Sequence, residues 1–317
     1  MRMKVAILES LSISKEELNK RKAPFEKKGV EFVEFEKSMD KDMLIDEAKD
    51  AEAVIIANMP FKDEVIEGLD HLKFIDVAFT GVDHVGLKAA KEKGISVSNA
   101  SGYSNEAVSE LVFGMVISIA RNIRQTEERC REGKTKDGLV GWEIKGKTVG
   151  IIGHGRIGKR TAELFHAFDA ELLIYDPVEQ MDRPEYIEQT SVEDLLGRSD
   201  IVVLHCPLID STKGLIDAKK LSLMKKTAIL INVARGPVVN AKDLADALNN
   251  EVIAGAGIDV FDCEPPLPED EPLLHCKNIL LTPHIAFASE QSMSLRAEIV
   301  FDNLAAWMEG RQQNVIL

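Results

Sequence analysis

The sequence predicts an α/β protein built from parallel sheets that are covered by helices on both faces. Three observations support this fold class: short apolar runs recur along the chain, amphipathic helical segments separate them, and the runs are continuously apolar rather than alternating. Strands that are buried on both faces of a sheet have continuously apolar sequences of this kind. The predicted strands are residues 4–8, 53–57, 74–79, 148–153, 172–175, 201–205, 228–233, 254–260 and 278–282.

Length and charge limit the classes of protein to consider. A chain of 317 residues is long for one domain and fits two. The formal net charge is −14 and no long basic run is present, so neither nucleic acid nor an anionic membrane surface is an expected partner. No apolar stretch approaches the ~20 residues of a membrane span, and the N-terminus lacks a signal-peptide pattern. We therefore expect a cytoplasmic protein.

The cysteines indicate a reduced protein without a metal site. Cys130, Cys206, Cys263 and Cys276 are scattered, and no C-x-x-C pair occurs. Cys206 follows an apolar run, as a buried thiol would. Cys263, Cys276 and His284 fit no zinc-ligand spacing, so no metal is expected.

One long helix is predicted over residues 104–133, beginning at the capping-type residue Ser104 and ending at Gly133. Its first half is apolar on more than one face, which predicts burial between domains or subunits. We place a domain boundary near residues 99–104. A C-terminal helix over about 288–310 follows the last strand and could return to the first domain.

A glycine-rich turn follows the strand at 148–153. Gly153, Gly155 and Gly158 form G-x-G-x-x-G between a strand and a helix, the pattern of a dinucleotide pyrophosphate site. Asp176 ends the next strand, 23 residues after Gly153. Its carboxylate would accept hydrogen bonds from the adenosine ribose and repel a 2′-phosphate, so NAD is favoured over NADP.

Two other interpretations of these glycines stay open. One is a turn that binds no ligand. The other is a P-loop, since Gly153, Gly158 and Lys159 match G-x-x-x-x-G-K; however, Arg160 stands where a P-loop has Ser or Thr.

Three charged residues follow strands of the second half. Arg235, Glu264 and His284 are placed where parallel strands end, and ligands bind at such an edge. Reduction of a 2-oxo acid needs a planar cation for the carboxylate, a proton donor for the carbonyl oxygen and a carboxylate that orients the donor. Separately, each residue has a structural interpretation as a solvated charge or a packed histidine. Together they favour catalysis.

With these motifs, the chain resembles the D-isomer-specific 2-hydroxyacid dehydrogenases. The resemblance is carried by "TVGIIGHGRIG", "LHCPL", "INVARG", "GIDVFDCEP" and "LTPHIA", in the family's order and spacing. It implies that Arg235 binds the substrate, that His284 is the acid/base, and that Glu264 pairs with His284.

The resemblance also implies further site residues. Asp259 would hold the nicotinamide carboxamide, and Thr80 and Gly81 would bind the substrate carboxylate through their amides. The remaining implied coenzyme contacts are Arg156, Ile157, Cys206, Pro207, Thr212, Val233 and Ala234. The implied substrate-pocket residues are Met59, Phe79, Tyr103 and Phe287.

The implied fold is a pair of Rossmann-like, doubly wound parallel-sheet domains with a deep interdomain cleft. Residues 1–98 and 285–317 would form a flavodoxin-like substrate-binding domain, and 99–284 the NAD-binding Rossmann domain. The family is commonly homodimeric through the helix after residue 104, so a homodimer is expected.

The expected activity is reversible hydride transfer between NADH and a small, unphosphorylated 2-oxo acid, such as glyoxylate, hydroxypyruvate, a lactate-type acid or a branched-chain acid. Phosphoglycerate dehydrogenases place an arginine in the loop after the second predicted strand, where this chain has Ala57–Phe61. Their C-terminal regulatory domain is not expected here. A phosphoglycerate dehydrogenase-like enzyme and a non-enzymatic, NAD-sensing binding protein are the alternatives. Formate dehydrogenases carry glutamine in place of Glu264, which opposes formate oxidation; phosphite oxidation is a further alternative.

Overall fold

A computed structural model describes residues 3–264 and 266–317. Two compact units are present: one runs up to Ser104 and also includes Ala288–Leu317, and the other is Asn105–Phe287. Among the helices of these described residues, none has both the length and the apolar character that crossing a membrane requires.

The first unit contains a five-stranded sheet with the order β2-β1-β3-β4-β5, in which every pair of neighbours is parallel. Its strands are β1 (Lys4–Ile7), β2 (Glu31–Glu34), β3 (Ala53–Ile56), β4 (Phe74–Val77) and β5 (Ser96–Asn99). Its helices are α1 (Lys15–Glu26), α2 (Lys41–Ala48), α3 (Asp63–Glu67), α4 (Leu87–Glu92) and, after the second unit in the chain, α11 (Glu290–Met308).

The second unit contains a seven-stranded sheet with the order β12-β11-β10-β9-β6-β7-β8, again parallel throughout. Its strands are β6 (Thr148–Ile152), β7 (Glu171–Tyr175), β8 (Ile187–Gln189), β9 (Ile201–Leu204), β10 (Ile229–Asn232), β11 (Gly255–Ile258) and β12 (Ile279–Leu281). Its α-helices are α5 (Asn105–Ala120), α6 (Ile123–Arg131), α7 (Arg156–His166), α8 (Val192–Arg198), α9 (Ala218–Leu221) and α10 (Ala241–Asn249). Short 3₁₀ segments lie at Gly236–Val238 and Pro272–His275.

The predicted α/β fold class is confirmed, and its cause is visible in β9. Ile201 and Val203 belong to one hydrophobic cluster, while Val202 and Leu204 belong to another. Successive residues of a strand point to opposite faces, so a continuously apolar strand requires cover on both sides.

All nine predicted strands are present, each within two residues of its predicted ends, but three further strands were missed. β2 reads EFVE and β5 reads SVSN, so neither has a continuous apolar run, and β8 has only three residues. Strands of these kinds are recruited by pairing with a neighbour rather than by their own hydrophobicity.

The prediction of one helix over 104–133 is wrong: two helices, α5 and α6, occupy this region. Asn122 separates them with a φ of 51°, in the left-handed region. The main-chain N–H of Trp142 donates to the carbonyl of Ala120 at 3.0 Å, and a Cβ on Gly141 would lie 2.3 Å from that oxygen. The glycine-bearing segment thus closes the end of α5.

α11 packs on β4 in the first unit, with Trp307 stacked on Phe74 at a centroid distance of 4.8 Å. Beneath it lies a buried polar contact in which Asn303 Nδ2 donates to Asp76 Oδ1 at 3.0 Å. Among the described residues, the second Asp76 oxygen has no hydrogen-bond partner. Burial raises the pKa of Asp76 well above its ordinary value, and the bond from Asn303 only partly opposes this.

Asp76→Asn is expected to remove a pH-dependent loss of stability. The ordinary pKa of an aspartate is about 3.9, and that of folded Asp76 is higher, so above about pH 4 the unfolded chain loses a proton that the folded chain keeps. The wild-type protein is therefore destabilised as the pH rises, whereas the asparagine variant lacks this contribution. The thermal midpoint of the variant minus that of the wild type should increase between about pH 5 and about pH 8.

Asp70→Asn is the matched control, because the Asp70 side chain is 90% exposed. The thermal midpoint of Asp70→Asn minus that of the wild type should not change over the same pH range. If the corresponding difference for Asp76→Asn is also independent of pH, the assignment of a protonated, buried carboxyl group is contradicted.

Candidate active site

The three glycines of the turn after β6 have distinct structural roles. Gly153 has a φ of 98°, and a Cβ there would lie 2.7 Å from the main-chain nitrogen of Cys206. A Cβ on Gly158 would lie 2.1 Å from the carbonyl oxygen of Gly153. Gly155, by contrast, has nothing within 4 Å of its Cβ position. The turn is therefore closed on the protein side and open where a pyrophosphate would approach the N-terminus of α7.

Helix α7 begins at the predicted coenzyme contact Arg156, which is exposed. Ile157 is half-buried, and its carbonyl accepts a hydrogen bond from Ser109 Oγ at 3.3 Å. Arg160, the residue that argued against a P-loop, is ion-paired with Glu106 and Glu163. Its guanidinium serves the helix surface rather than a metal-bound phosphate.

Asp176 follows β7 directly, and its carboxylate organises the turn. Oδ2 accepts from the main-chain N–H of His154 at 3.0 Å, and Oδ1 accepts from that of Val178 at 3.1 Å. Burial lowers the pKa of His154, and Lys159 lowers it further, so its imidazole is neutral beside this carboxylate. Asp176, the residue predicted to bind the ribose, is thus hydrogen-bonded to the glycine-rich turn itself.

The loop after β9 carries three predicted coenzyme contacts. Cys206 is buried, which raises the pKa of its thiol to about 11, so the thiol is neutral. Pro207 is exposed, and its carbonyl accepts from the Thr212 hydroxyl at 2.6 Å. That hydroxyl also accepts from the main-chain N–H of Ile209 at 2.9 Å. Thr212 therefore braces the loop.

Arg235 is presented by a tight turn after β10. Val233 and Ala234 are buried, and Asn232 spans the turn: its Oδ1 accepts from the Ala234 N–H at 3.1 Å, and its Nδ2 donates to the Arg235 carbonyl at 3.0 Å. The half-buried Arg235 side chain donates to the Ala234 carbonyl at 2.8 Å.

Gly236 fixes where this turn lies. A Cβ there would lie 2.0 Å from the carbonyl carbon of Phe261, so the Arg235 turn packs directly on the segment that leads to Glu264. The structure therefore brings the arginine turn and the glutamate segment together, as the sequence predicted from their positions at strand ends.

His284 and Glu264 form the pair that was predicted. Nδ1 of His284 lies 2.8 Å from Oε1 and 3.0 Å from Oε2 of Glu264. The imidazole is 11% exposed and the carboxylate 51% exposed. Because Nδ1 is bonded to the carboxylate, Nε2 is the ring nitrogen that would exchange a proton with a substrate. Phe287 packs against the imidazole edge to face, with centroids 5.4 Å apart.

Asp259 is fully buried beside this histidine. Its carboxylate accepts from the Thr282 hydroxyl at 2.6 Å and from the main-chain N–H groups of Ile285 at 2.8 Å and Ala286 at 2.9 Å. Burial raises the pKa of Asp259, while these three donors and His284 oppose the rise.

In the first unit, the predicted carboxylate-binding loop lies after β4. The carbonyl of Thr80 accepts from Nδ2 of Asn99 at 2.7 Å, and Thr80 and Gly81 are both half-buried. Asn99 is itself held by Asn303, whose Nδ2 donates to the Asn99 carbonyl at 3.0 Å. The loop is thus connected by hydrogen bonds to α11.

The predicted pocket residues of this unit are buried. Met59 is fully buried, and Tyr103 packs against Phe79 with centroids 6.2 Å apart. The guanidinium carbon of the buried Arg296 lies 5.9 Å from the centre of the Tyr103 ring. A cation therefore accompanies the aromatic side chains, which the sequence did not predict.

Several residues that shape the site were not identified from sequence. Asn232 and Thr282 stand inside the motifs "INVARG" and "LTPHIA", so their position beside a predicted catalytic residue was an available signal. Asn99 and Arg296 come from separate elements, and nothing local indicates that they reach the loops of the first unit.

The coenzyme fits the residues that are present. The open Gly155, the N-terminus of an 11-residue helix and the adjacent Asp176 carboxylate match the pyrophosphate and ribose of a dinucleotide. Within the described part of the chain, no cluster of three or more His, Cys, Asp or Glu side chains could hold a metal ion.

Residues 113–286 match the family model of the D-isomer specific 2-hydroxyacid dehydrogenase NAD-binding domain. The chain is 37% identical over 278 residues to a glyoxylate reductase of Korarchaeum cryptofilum, covering 85% of this chain and 83% of the relative. It is 34% identical over 288 residues to a hydroxypyruvate reductase of Blautia hydrogenotrophica, covering 87% and 88%.

Among solved structures, the D-lactate dehydrogenase of Aquifex aeolicus, complexed with NAD and lactic acid, superimposes with a TM-score of 0.85 at 28% identity, covering 97% of this chain and 96% of that one. The family match extends over more than half of the chain and includes the glycine turn, Asp176 and all three predicted catalytic residues. The chain therefore belongs to the D-isomer specific 2-hydroxyacid dehydrogenases, a family of NAD-dependent oxidoreductases.

Proposed function

We propose that this enzyme interconverts NADH and a small, unphosphorylated 2-oxo acid with NAD and the corresponding D-2-hydroxy acid. The observation that carries the proposal is the hydrogen bond from His284 Nδ1 to Glu264, at 2.8 Å, which leaves Nε2 to exchange a proton with substrate. Glyoxylate, hydroxypyruvate, lactate-type and branched-chain acids are the candidate substrates. The relatives named glyoxylate and hydroxypyruvate reductase support the first two.

The three residues divide the work of the reaction. Bound NADH supplies a hydride. Arg235 binds the substrate carboxylate through its planar guanidinium, which can make two parallel hydrogen bonds to it. Nε2 of His284 donates a proton to the carbonyl oxygen, where negative charge develops during reduction. Glu264 keeps the imidazole oriented through its hydrogen bond with Nδ1.

Coenzyme binding would use the second unit. Gly153, Gly155 and Gly158 would surround the pyrophosphate, with Arg156 and Ile157 at the start of α7. Asp176 would bind the adenosine ribose hydroxyls and repel the 2′-phosphate of NADP. The remaining proposed contacts are Cys206, Pro207, Thr212, Val233, Ala234 and Asp259.

The first unit would bind the substrate, through Thr80 and Gly81 for the carboxylate and through Met59 and Tyr103 for the side chain. Phe287, which packs against His284, is a further proposed substrate contact. Glu9 supports an unphosphorylated substrate. Its Oε2 accepts from the N–H groups of Ala57 and Met59, at 2.8 and 3.0 Å, in the loop where phosphoglycerate enzymes carry an arginine. The other oxygen of this carboxylate is ion-paired with Lys37 at 2.7 Å. Because the two N–H donors are already occupied, they are not available to a phosphate, which disfavours the phosphoglycerate dehydrogenase alternative.

The proposed functional domains are residues 1–98 with 285–317 for substrate and 99–284 for NAD.

We further propose a homodimer through the region around α5. Val140 is 84% exposed and Ile123 is 46% exposed beside Trp142, an apolar surface that a second copy would cover. A cytoplasmic location is proposed because all four cysteines are free; cell fractionation tests it.

The dimer predicts a sedimentation-equilibrium mass of twice 35.1 kDa. Val140→Asp should shift the mass toward that of the monomer, whereas Val178→Asp should not, because Val178 is 66% exposed but does not line this surface. A monomeric wild-type protein would contradict the dimer.

The activity is tested by NADH oxidation with glyoxylate, hydroxypyruvate, pyruvate, 2-oxoisocaproate, phenylpyruvate and 3-phosphohydroxypyruvate. We expect turnover of one or more unphosphorylated acids, and His284→Ala should lower kcat by a factor of about 100 or more, because it removes the proton donor. NADH binding by the variant, measured by fluorescence titration, should persist.

Arg235→Lys, assayed beside His284→Ala, should raise KM and lower kcat. Lysine keeps the positive charge but cannot make the two parallel hydrogen bonds of a guanidinium. Turnover that is unaffected by His284→Ala would refute the assignment. Absence of turnover by folded protein that binds NADH would instead favour the non-enzymatic, NAD-sensing alternative.

Glu264→Gln should lower kcat in both directions. Reduction requires protonated His284 and oxidation requires the neutral form, and both require an imidazole that is oriented by its partner at Nδ1. Glutamine has one acceptor oxygen and no charge, so it holds the imidazole less firmly, and kcat should fall by about tenfold or more. Rates are measured with NADH and oxo acid, then with NAD and hydroxy acid.

Glu269→Gln, which neutralises an exposed carboxylate five residues further along the same segment, is the control and should leave kcat unchanged in both directions. Wild-type kcat in Glu264→Gln would show that Glu264 does not orient His284.

A further inference from the structure

His284 has an unusual backbone conformation for a histidine that follows a strand. Its φ is 55°, in the left-handed region that residues with a Cβ adopt only at a cost. Pro283 precedes it, so this short segment has few conformations available. Something in the surroundings must stabilise the turn that presents the imidazole.

The stabilising group is Asp259. The N–H of His284 donates to the Asp259 carbonyl at 2.8 Å, that of Ile285 to Oδ1 at 2.8 Å, and that of Ala286 to Oδ2 at 2.9 Å. The two N–H groups that follow the left-handed residue therefore hold the Asp259 carboxylate, and the N–H of His284 itself holds the Asp259 main chain. The carboxylate belongs to the same chain and is fully buried.

Thr282 orients that carboxylate. Its hydroxyl donates to Asp259 Oδ1 at 2.6 Å, and its own N–H donates to the Ile258 carbonyl at 3.0 Å. The second bond continues the parallel pairing of β12 with β11 by one residue, which places the hydroxyl opposite Asp259. The backbone of the sheet therefore sets the direction from which the carboxylate is held.

We infer that Thr282 is a positioning residue for the proton donor: through Asp259, it keeps His284 in the left-handed turn that directs Nδ1 to Glu264 and Nε2 to the substrate. This inference rests on the proposed function of His284. It concerns the hold on His284 and is separate from the coenzyme contact proposed for Asp259.

Thr282→Val tests the inference, because valine has the shape of threonine without the hydroxyl. We expect kcat for oxo acid reduction to fall by about tenfold or more, since small displacements of a catalytic group are costly. The dissociation constant of NADH should stay within about twofold of the wild-type value. The solvent deuterium isotope effect on kcat should increase, because proton transfer from a misplaced imidazole becomes slower relative to other steps.

Thr282→Ser keeps the hydroxyl and should restore kcat to within about threefold of wild type. Thr190→Val is the matched control: it removes a threonine-to-aspartate hydrogen bond of 2.8 Å, to Asp194, on the exposed side of the same unit. It should leave kcat and the isotope effect unchanged. Thermal midpoints of all variants show whether each is folded at the assay temperature.

Three results would overturn the inference: wild-type kcat in folded Thr282→Val, no recovery in Thr282→Ser, or a loss of NADH affinity that accounts for the whole loss of activity. The proposed function fails separately. If His284→Ala retains activity, His284 is not the proton donor. If His284→Ala is inactive while Thr282→Val is fully active, only the positioning role is refuted.

Discussion

Every pair of neighbouring strands in the seven-stranded sheet is parallel, so all of these strands finish at the same edge. Six of them are followed, within three residues, by a member of the candidate site. These residues are Gly153, Asp176, Cys206, Arg235, Asp259 and His284. Residues far apart in sequence lie along one edge of the sheet because main-chain pairing aligns the strand ends.

The alignment of strand ends also explains which parts of the molecule could be predicted. Fully buried strands such as β9 and β10 leave continuous apolar runs, so their ends, and therefore Cys206 and Arg235, could be located from sequence. β5 reads SVSN and offers no such run, although it lies beside β4 in the sheet. The break after Ala120 was also hidden, because it depends on Gly141 and Trp142, about twenty residues further along the chain.

Within the site, charged groups were predictable and the groups that hold them were not. Arg235, Glu264 and His284 have chemistry that suggests a role. Asn232, Asn99 and Thr282 act by hydrogen bonding to main-chain atoms or to a buried carboxylate, and such residues are common in turns for purely local reasons. Only coordinates distinguish an asparagine that spans a catalytic turn from one that caps an ordinary loop.

The first unit is assembled from two separated stretches of chain, and α11 supplies part of its core. Trp307 covers Phe74, Asn303 reaches Asp76, and Val315 pairs with Ser98. During synthesis on a ribosome, the five strands of this unit emerge before the seven-stranded unit, and α11 emerges after both. In the nascent chain, the first sheet therefore stays incompletely covered until the last helix has been translated. Until then Asp76, which is buried in the finished protein, lacks its cover by α11 and its bond from Asn303.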